Sequence, residues 1–307
     1  MKFSIRLILA FTFLVSALLK LSGIDGFELF VFKTLNLNWM LTTIYVRLLI
    51  SLELGIGLFY LFGIGIKQTN SVALILISVF SIWLSIQWLS GNDENCHCFG
   101  EMFQMNAAES LIKNAIILIF VFLLFRVKDQ DLILLPKPFL KVAPGVVLVI
   151  SFLTPFIFSP PDFLVAHRYN LNGVADNIDF EKLDSIPWKN ANNPIDITKG
   201  KNIVLFMSMQ CNMCQKAAKK ISIMDSRHPN AYNISYIFFG DSANLKPFWE
   251  KSESTQFPYK IISSKQFYSI TKQMPTVFFL NEGKVIKALG YRNLNDKAVT
   301  SFLGMNY

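Results

Sequence analysis

Five apolar segments, at about residues 5–22, 41–63, 72–90, 108–126 and 140–158, constrain this chain more than any other feature. A helix that crosses roughly 30 Å of hydrocarbon needs about 20 mostly apolar residues, and each segment comes close to that length. Water is absent at that depth, so the backbone must satisfy its own hydrogen bonds, which a helix does within one segment. All five lie in the first 160 residues, and the rest of the 307-residue chain reads like an ordinary water-soluble domain. Composition agrees: 16% of the residues are charged, against about 25% in soluble domains. A wholly soluble enzyme is thereby excluded. The expected architecture is an all-α polytopic membrane bundle followed by an α/β domain. The basic residues behind the net charge of +8 are scattered, with no arginine-rich stripe or stacking motif, so nucleic acid is not an expected partner.

Basic residues near the helix ends set the expected orientation. Lys2 and Arg6 precede the first span, Lys67 separates the second from the third, and Arg126, Lys128, Lys137 and Lys141 flank the fourth-to-fifth connection. These places are assigned to the cytoplasm. Connections 23–40 and 91–107 carry mainly Asp25, Glu28, Asp93, Glu94 and Glu101, and are assigned to the outside with everything after residue 158. The first span lacks a small-residue cleavage site and reads as a retained helix. The expectation is a multi-pass protein of a bacterial inner membrane, in contact with lipid, with a cytoplasmic N-terminus and a periplasmic or extracellular C-terminal domain. Cys96, Cys98, Cys211 and Cys214 then share one compartment, in which disulfides persist.

Within the spans, Arg47, Glu53, Gln87 and Asn114 are polar groups that are costly to bury unless they pair or line a cavity. Two readings stay open for them: a polar site inside the bundle, or interhelical bonds that lock packing. Glu53 falls near mid-span, where an ionised carboxylate is most expensive, and Arg47 is its candidate companion in a site. Trp83 and Trp88 read as interfacial anchors.

The connection between the third and fourth spans reads Asn95-Cys96-His97-Cys98-Phe99-Gly100-Glu101. Two cysteines one residue apart can close a strained, exchange-prone disulfide, which suits a redox relay. The alternatives are a thiolate and imidazole metal site, a static bridge, or inert thiols. Metal is disfavoured because the other two histidines, His167 and His228, lie in the other half of the chain. This string, together with Arg6, Leu52-Glu53-Leu54-Gly55-Ile56-Gly57 and Asn114, resembles the DoxX-like family that includes the methylamine utilisation protein MauE, over about residues 4–126. In that family the loop usually reads Cys-Gly-Cys-Phe-Gly, so His97 replaces a glycine here. The resemblance implies a four-helix membrane module tied to periplasmic disulfide chemistry or to maturation of a disulfide-rich partner. Its layout is similar to that of the vitamin K epoxide reductase-like proteins, and that analogy is the sole ground for expecting a quinone. No other cofactor and no metal is expected.

After Ser159-Pro160-Pro161 the chain enters a stretch of turn-forming residues to about 200. Alternation then predicts a strand from Asn202 to Met207, a helix from Cys211 to Arg227 and a strand from Ser235 to Phe239. Helical stretches follow near 243–252 and 264–271, then a hairpin of Thr276–Leu280 and Lys284–Ala288, and a last helix over 294–303. Cys211-Asn212-Met213-Cys214 follows a strand and opens a helix, so the helix terminus can stabilise a Cys211 thiolate. Cys211 is the expected nucleophile, and Cys214 is the thiol that resolves a mixed disulfide. The strand, Cys-x-x-Cys and helix, with the later Met274-Pro275-Thr276, resemble the thioredoxins over about residues 195–307. The resemblance implies a cis Pro275 beside the cysteines and a Met274 backbone that pairs with an extended substrate. Gln210 stands where that family has Trp, Asn212-Met213 replaces Gly-Pro, and the buried acid expected near Leu205 is absent.

The expected domains are 1–127 for the membrane module, 128–160 for a connection and the fifth helix, 161–194 for an irregular lead-in and 195–307 for the thioredoxin-like domain. The expected function is a membrane-anchored thiol–disulfide oxidoreductase, its Cys-x-x-Cys and Cys-x-Cys pairs exchanging electrons to mature extracytoplasmic protein thiols. Residues 159–169, extended at about 3.3 Å each, form the expected tether. The alternative is an assembly factor or metallochaperone that uses Cys-His-Cys to hold a partner or metal. A transporter built on Glu53 and Arg47 has little support, because no internal repeat is visible.

Overall fold

The computed structural model describes residues 2–90, 105–125, 141–169, 183, 186–190, 196–229 and 232–304. They pack as two compact units, Met1–Thr34 with Leu41–Pro161, and Leu35–Met40 with Asp162–Tyr307.

The first unit is helical: α1 (Lys2–Ser22), α2 (Ile24–Leu35), α3 (Trp39–Phe62), α4 (Ile66–Leu89), α5 (Ala107–Phe125) and α6 (Ala143–Phe158). Among the described residues α1, α3, α4 and α5 are each long and apolar enough to cross a membrane. The segment expected as a fifth span forms α6, whose 16 residues cover about 24 Å at 1.5 Å per residue, less than the hydrocarbon layer. It reaches spanning length only with the helical turns after Pro161, which bend away by 56°. Helix α2 occupies the connection expected between the first two spans. Its 12 residues include Asp25, Glu28 and Lys33, so it carries no span signal, yet Ile24, Phe27 and Val31 pack on Ala17, Val46, Ile50 and Leu54. A second core joins Leu9 and Phe13 of α1 to Tyr60 of α3, Ile77 of α4 and Val121 of α5.

The second unit is built on a five-stranded sheet of order β3-β2-β1-β4-β5. Its strands are β1 (Lys201–Ser208), β2 (Asn233–Phe239), β3 (Tyr259–Ile262), β4 (Thr276–Asn281) and β5 (Lys284–Leu289). Strands β1, β2 and β3 run parallel, while β4 is antiparallel to both β1 and β5. This mixed order, with helices α8 (Asn212–Arg227), α9 (Leu245–Ser252), α10 (Ser264–Ile270) and α11 (Asp296–Leu303) between and after the strands, is thioredoxin-like. Strand β1 is central and buried at six consecutive positions, which explains its unbroken apolar run. The β4–β5 turn needs positive φ at Glu282 (48°) and Gly283 (73°), and a Cβ at Gly283 would stand 3.2 Å from the Thr198 Cα. Strand β3 has no counterpart among the expected elements. It is four residues long, and its lysine is buried and donates to the Leu183 carbonyl at 2.7 Å.

The expected extended tether is instead helical, with α7 (Asp162–Val165) followed by a 3-10 turn over Ala166–Tyr169. Asp162 is 3% exposed and accepts from the Trp39 indole at 3.0 Å and from Arg292 at 2.8 Å. A buried carboxylate without such partners would be heavily penalised. The Lys220 ammonium, itself buried, lies 3.3 Å over the Trp39 ring centroid. Arg227 donates to the Leu37 carbonyl at 3.0 Å, and the Trp39 amide donates to Asp296 at 2.7 Å. These bonds make residues 35–40 an integral part of the second unit.

Candidate active site

Strand β1 ends at Ser208 and the chain turns into α8 with Cys211 at its N-cap, in an extended conformation at φ −86° and ψ 115°. The Cys211 Sγ accepts from the Cys214 amide at 3.2 Å, so sulfur occupies the place that a serine or aspartate oxygen fills at other helix starts. Cys211 is half-buried and Cys214 is fully buried, both as free thiols. Cys211 is lowered from the ordinary 9.0 to about 7, first by the hydrogen bond from the Cys214 thiol and then by the Cys214 and Met213 amides, against the opposing effect of burial. Cys214 is pushed up, chiefly by burial and then by its bond to Cys211. These opposite shifts favour ionisation of Cys211 over Cys214, which is the asymmetry needed for attack followed by resolution.

The register of β1 against β4 pairs Phe206 with Thr276. That pairing brings the loop before β4 to the sheet end from which Cys211 emerges. In this loop the Met274–Pro275 peptide bond is cis; Pro275 is buried, and Met274 is half-buried against the core of Phe206, Phe267 and Phe278. The Thr276 hydroxyl, fully buried, donates to the Gln273 carbonyl at 2.7 Å and shares a 2.9 Å bond with the Thr271 hydroxyl. Thr271 and Thr276 thus lock the shape of the loop. Sequence reasoning missed this role, because a Thr at a strand start reads simply as β-propensity.

In the membrane unit Arg47 and Glu53 do not form a shared site. Arg47 pairs with Glu28 at 2.5 Å, while Glu53 pairs with Lys20 and accepts from the Ser16 hydroxyl at 3.1 Å. Six positions along a helix rotate a side chain by about 240°, so the two residues leave α3 in different directions. Asn114 donates to the Ser81 hydroxyl at 3.0 Å, an interhelical bond between α5 and α4. Trp83 stacks on Phe80, and Trp88 is 54% exposed. Cys96, His97 and Cys98 lie outside the described residues.

Comparison with known proteins places two kinds of likeness on the two halves. Residues 1–126 match the family model of the methylamine utilisation protein MauE. Across nearly the whole chain, Protein TlpB of Flavobacterium psychrophilum is 25% identical over 336 residues, covering 93% of this chain and 90% of that protein. Among solved structures, StoA from Bacillus subtilis is 21% identical, covering 34% of this chain and 81% of its own, with a TM-score of 0.28. A thiol:disulfide interchange protein from Bacteroides sp. is 14% identical, covering 35% of this chain and 76% of its own, with a TM-score of 0.30. Fold and apolar helices define a multi-pass membrane protein whose first 126 residues are similar to the MauE family and whose second unit has a thioredoxin-like fold.

Proposed function

We propose that this chain is a membrane-anchored thiol–disulfide oxidoreductase of the bacterial inner membrane, acting on extracytoplasmic protein thiols. The observation that carries this reading is the pair of free thiols at the start of α8, with Cys211 at the N-cap, its Sγ accepting from the Cys214 amide at 3.2 Å, and Cys214 fully buried behind it. In one direction of exchange, the Cys211 thiolate attacks a partner disulfide, an S–S bond forms between them, and one partner sulfur leaves as thiolate. Cys214 then gives up its proton and attacks Cys211, closing the Cys211–Cys214 disulfide and releasing the second partner sulfur. Two electrons pass from the Cys211/Cys214 pair to the partner, which leaves as a dithiol. The reverse sequence oxidises the partner. Met274 lends its backbone to an extended substrate segment, and Pro275, which has no N–H, leaves that edge open.

The Cys96/Cys98 pair is the second station of the relay. It joins Cys211 through a mixed disulfide and passes electrons to or from a lipid-soluble carrier, on the side of the membrane opposite a cytoplasmic N-terminus. Replacing Cys214 by Ser in membranes blocks resolution and traps whatever Cys211 joins, to be mapped by peptide mass spectrometry. A Cys211 link to Cys96 or Cys98 is the expected product. A Cys211 link solely to another protein, or no link, overturns the relay and leaves the membrane half as an anchor.

A further inference from the structure

Of the large apolar side chains described between Lys201 and Gly304, two stand open to solvent, Ile286 at 60% and Tyr268 at 47%. Ile286 lies on β5 between Lys284 and Lys287, where charge guards an edge strand. Tyr268, on α10, differs in having apolar company. Its ring meets those of Phe239 and Phe267, each at 5.5 Å between centroids. Phe267 is fully buried, but Phe239 is half-buried, as are Ile270 at the end of α10 and Met274 beyond it. Phe239, Ile270 and Met274 all pack on the core of Phe206, Phe267 and Phe278. The exposed ring therefore belongs to a half-open apolar surface and is not a stray side chain.

This surface lies at the end of the sheet from which Cys211 emerges. Strands β1 and β2 run parallel with Ser208 opposite Phe239, and the Cys211 amide donates to the Ser208 carbonyl at 3.2 Å. Phe239 is thus one strand away from the turn that carries the nucleophile, and Tyr268 is one ring further. With strands about 4.8 Å apart, the whole reach is on the order of 12 Å, which an extended chain covers in about three or four residues. The segment also carries one sign of charge: from Ser263 to Met274 it holds Lys265 and Lys272, both exposed, and no acid. Lys265 precedes Tyr268 by three positions, which puts both on one face of α10. Asp241, the acid next to Phe239 in sequence, is turned to its own backbone and accepts from the Ala243 amide at 2.9 Å. Tyrosine offers a large apolar face with few rotors, which concentrates binding energy, and neighbouring cations select an acidic partner by charge complementarity.

We infer that Phe239 and Tyr268, with Lys265 and Lys272, form a specificity site for the partner polypeptide, an assignment that rests on the redox reading above. It takes an extended segment that carries a large apolar or aromatic side chain and acidic residues about three or four positions from the reacting cysteine. The test is a competition on the Cys214→Ser full chain in detergent. The probes are peptides with one cysteine in mixed disulfide with thionitrobenzoate, and with Phe or Ser, and Glu-Glu or Lys-Lys, at those positions on either side. The Cys211 thiolate attacks the peptide sulfur, a new S–S bond forms, and thionitrobenzoate leaves as thiolate. Cys211 adducts are quantified by mass spectrometry against synthetic standards. Phe should be preferred over Ser about tenfold, and Glu over Lys about threefold. Tyr268→Ala should abolish the Phe preference, and Tyr268→Phe should keep it. Lys265→Glu/Lys272→Glu should reverse the charge preference, an outcome that damage to the fold does not produce. Adducts without preference, a Phe preference that survives Tyr268→Ala, or a charge preference that fails to reverse overturns the site. Preferences seen in detergent but abolished in phosphatidylglycerol vesicles also overturn it and assign the surface to lipid. No Cys211 adduct with any peptide overturns the redox reading and the site with it, whereas adducts without preference leave the redox reading standing.

Discussion

Removing the Cys214 thiol should return Cys211 toward an ordinary cysteine, because the bond from Cys214 is the largest influence lowering it to about 7 from 9.0. At pH 6 the thiolate fraction is about 9% for a thiol of pKa 7 and about 0.1% for one of pKa 9, a ratio of roughly 90. A less basic thiolate is also a weaker nucleophile. With a Brønsted slope of about 0.45, two pH units cost about eightfold, leaving a net advantage of roughly tenfold. Iodoacetamide labelling of the Cys211 peptide, followed by mass spectrometry in a Cys96→Ser/Cys98→Ser background, reads this directly. The unmodified site should show half-maximal rate near pH 7. Cys214→Ala should move the midpoint toward 9 and slow labelling at pH 6 about tenfold, whereas Cys214→Ser, which keeps a donor, should stay close to the unmodified profile. A Cys214→Ala profile still centred near pH 7 would refute the reasoning and assign the thiolate to the Met213 and Cys214 amides alone. The same shifts fix how stability depends on pH. Cys211 is lowered on folding, so its contribution is complete above pH 9 and is lost as pH falls through about 7. Cys214 is raised, so its contribution is complete below pH 9 and declines above it. The melting temperature of the reduced protein minus that of the oxidised protein, which lacks both dependences, should therefore rise from pH 7 to 9 and fall above it.

Substitutions at Thr276, Trp39 and Arg47 test the packing around these sites. Thr276→Val removes the donor that closes on Gln273 and the partner of Thr271. It should cost the second unit about 1–3 kcal/mol of stability, measured by chemical denaturation of the solubilised full chain. Trp39→Ala takes the ring from under Lys220 and the indole donor from Asp162. A loss of about 3–5 kcal/mol is expected, while Trp39→Phe keeps an aromatic ring, loses only the donor to the Asp162 carboxylate and should cost about 1.5–3 kcal/mol; equal losses would discount the Lys220 contact. Arg47→Leu takes the guanidinium from the buried Glu28 carboxylate and should lower the thermal midpoint sharply, at a cost of about 3–5 kcal/mol. The double change Arg47→Leu/Glu28→Leu should recover most of that loss, and a double mutant no better than the single would show that the charge was not the cause.

The legible parts of this chain were those encoded within a short window. A run of about 20 apolar residues specifies a span without help from elsewhere, and α1, α3, α4 and α5 appear where such runs occur. Cys211-x-x-Cys214 after β1 likewise carries its own context, because N-cap geometry needs only the strand end and the first turn of α8. What was not legible depends on distant partners. Helix α2 is too short and too charged to announce itself, and its burial is set by Ala17 before it and Val46, Ile50 and Leu54 after it. Strand β3 is four residues at a sheet edge, specified by pairing with β2. The extended tether failed for the same reason: Asp162 gains its place only through Trp39, 123 positions earlier, and Arg292, 130 positions later.

The same distinction separates the polar residues of the membrane half. Arg47 and Glu53 share one helix and looked like one site, yet each answers to a residue outside the window, Glu28 on α2 and Lys20 on α1. Spacing could show that charges were present at depth but not which charges neutralise each other, because a helix fixes direction every 3.6 residues while partners come from neighbouring helices. Once the partners are known, the decisive difference is the space beside them: Arg47 is enclosed by carbonyls, and Glu53 borders a cavity. A charge that merely locks packing is best served by closure, since any opening adds a void and any unmet donor adds a penalty. Retaining both an ion pair and an open volume beside it is the costlier arrangement for a membrane helix, and on physical grounds it is the one that calls for an occupant.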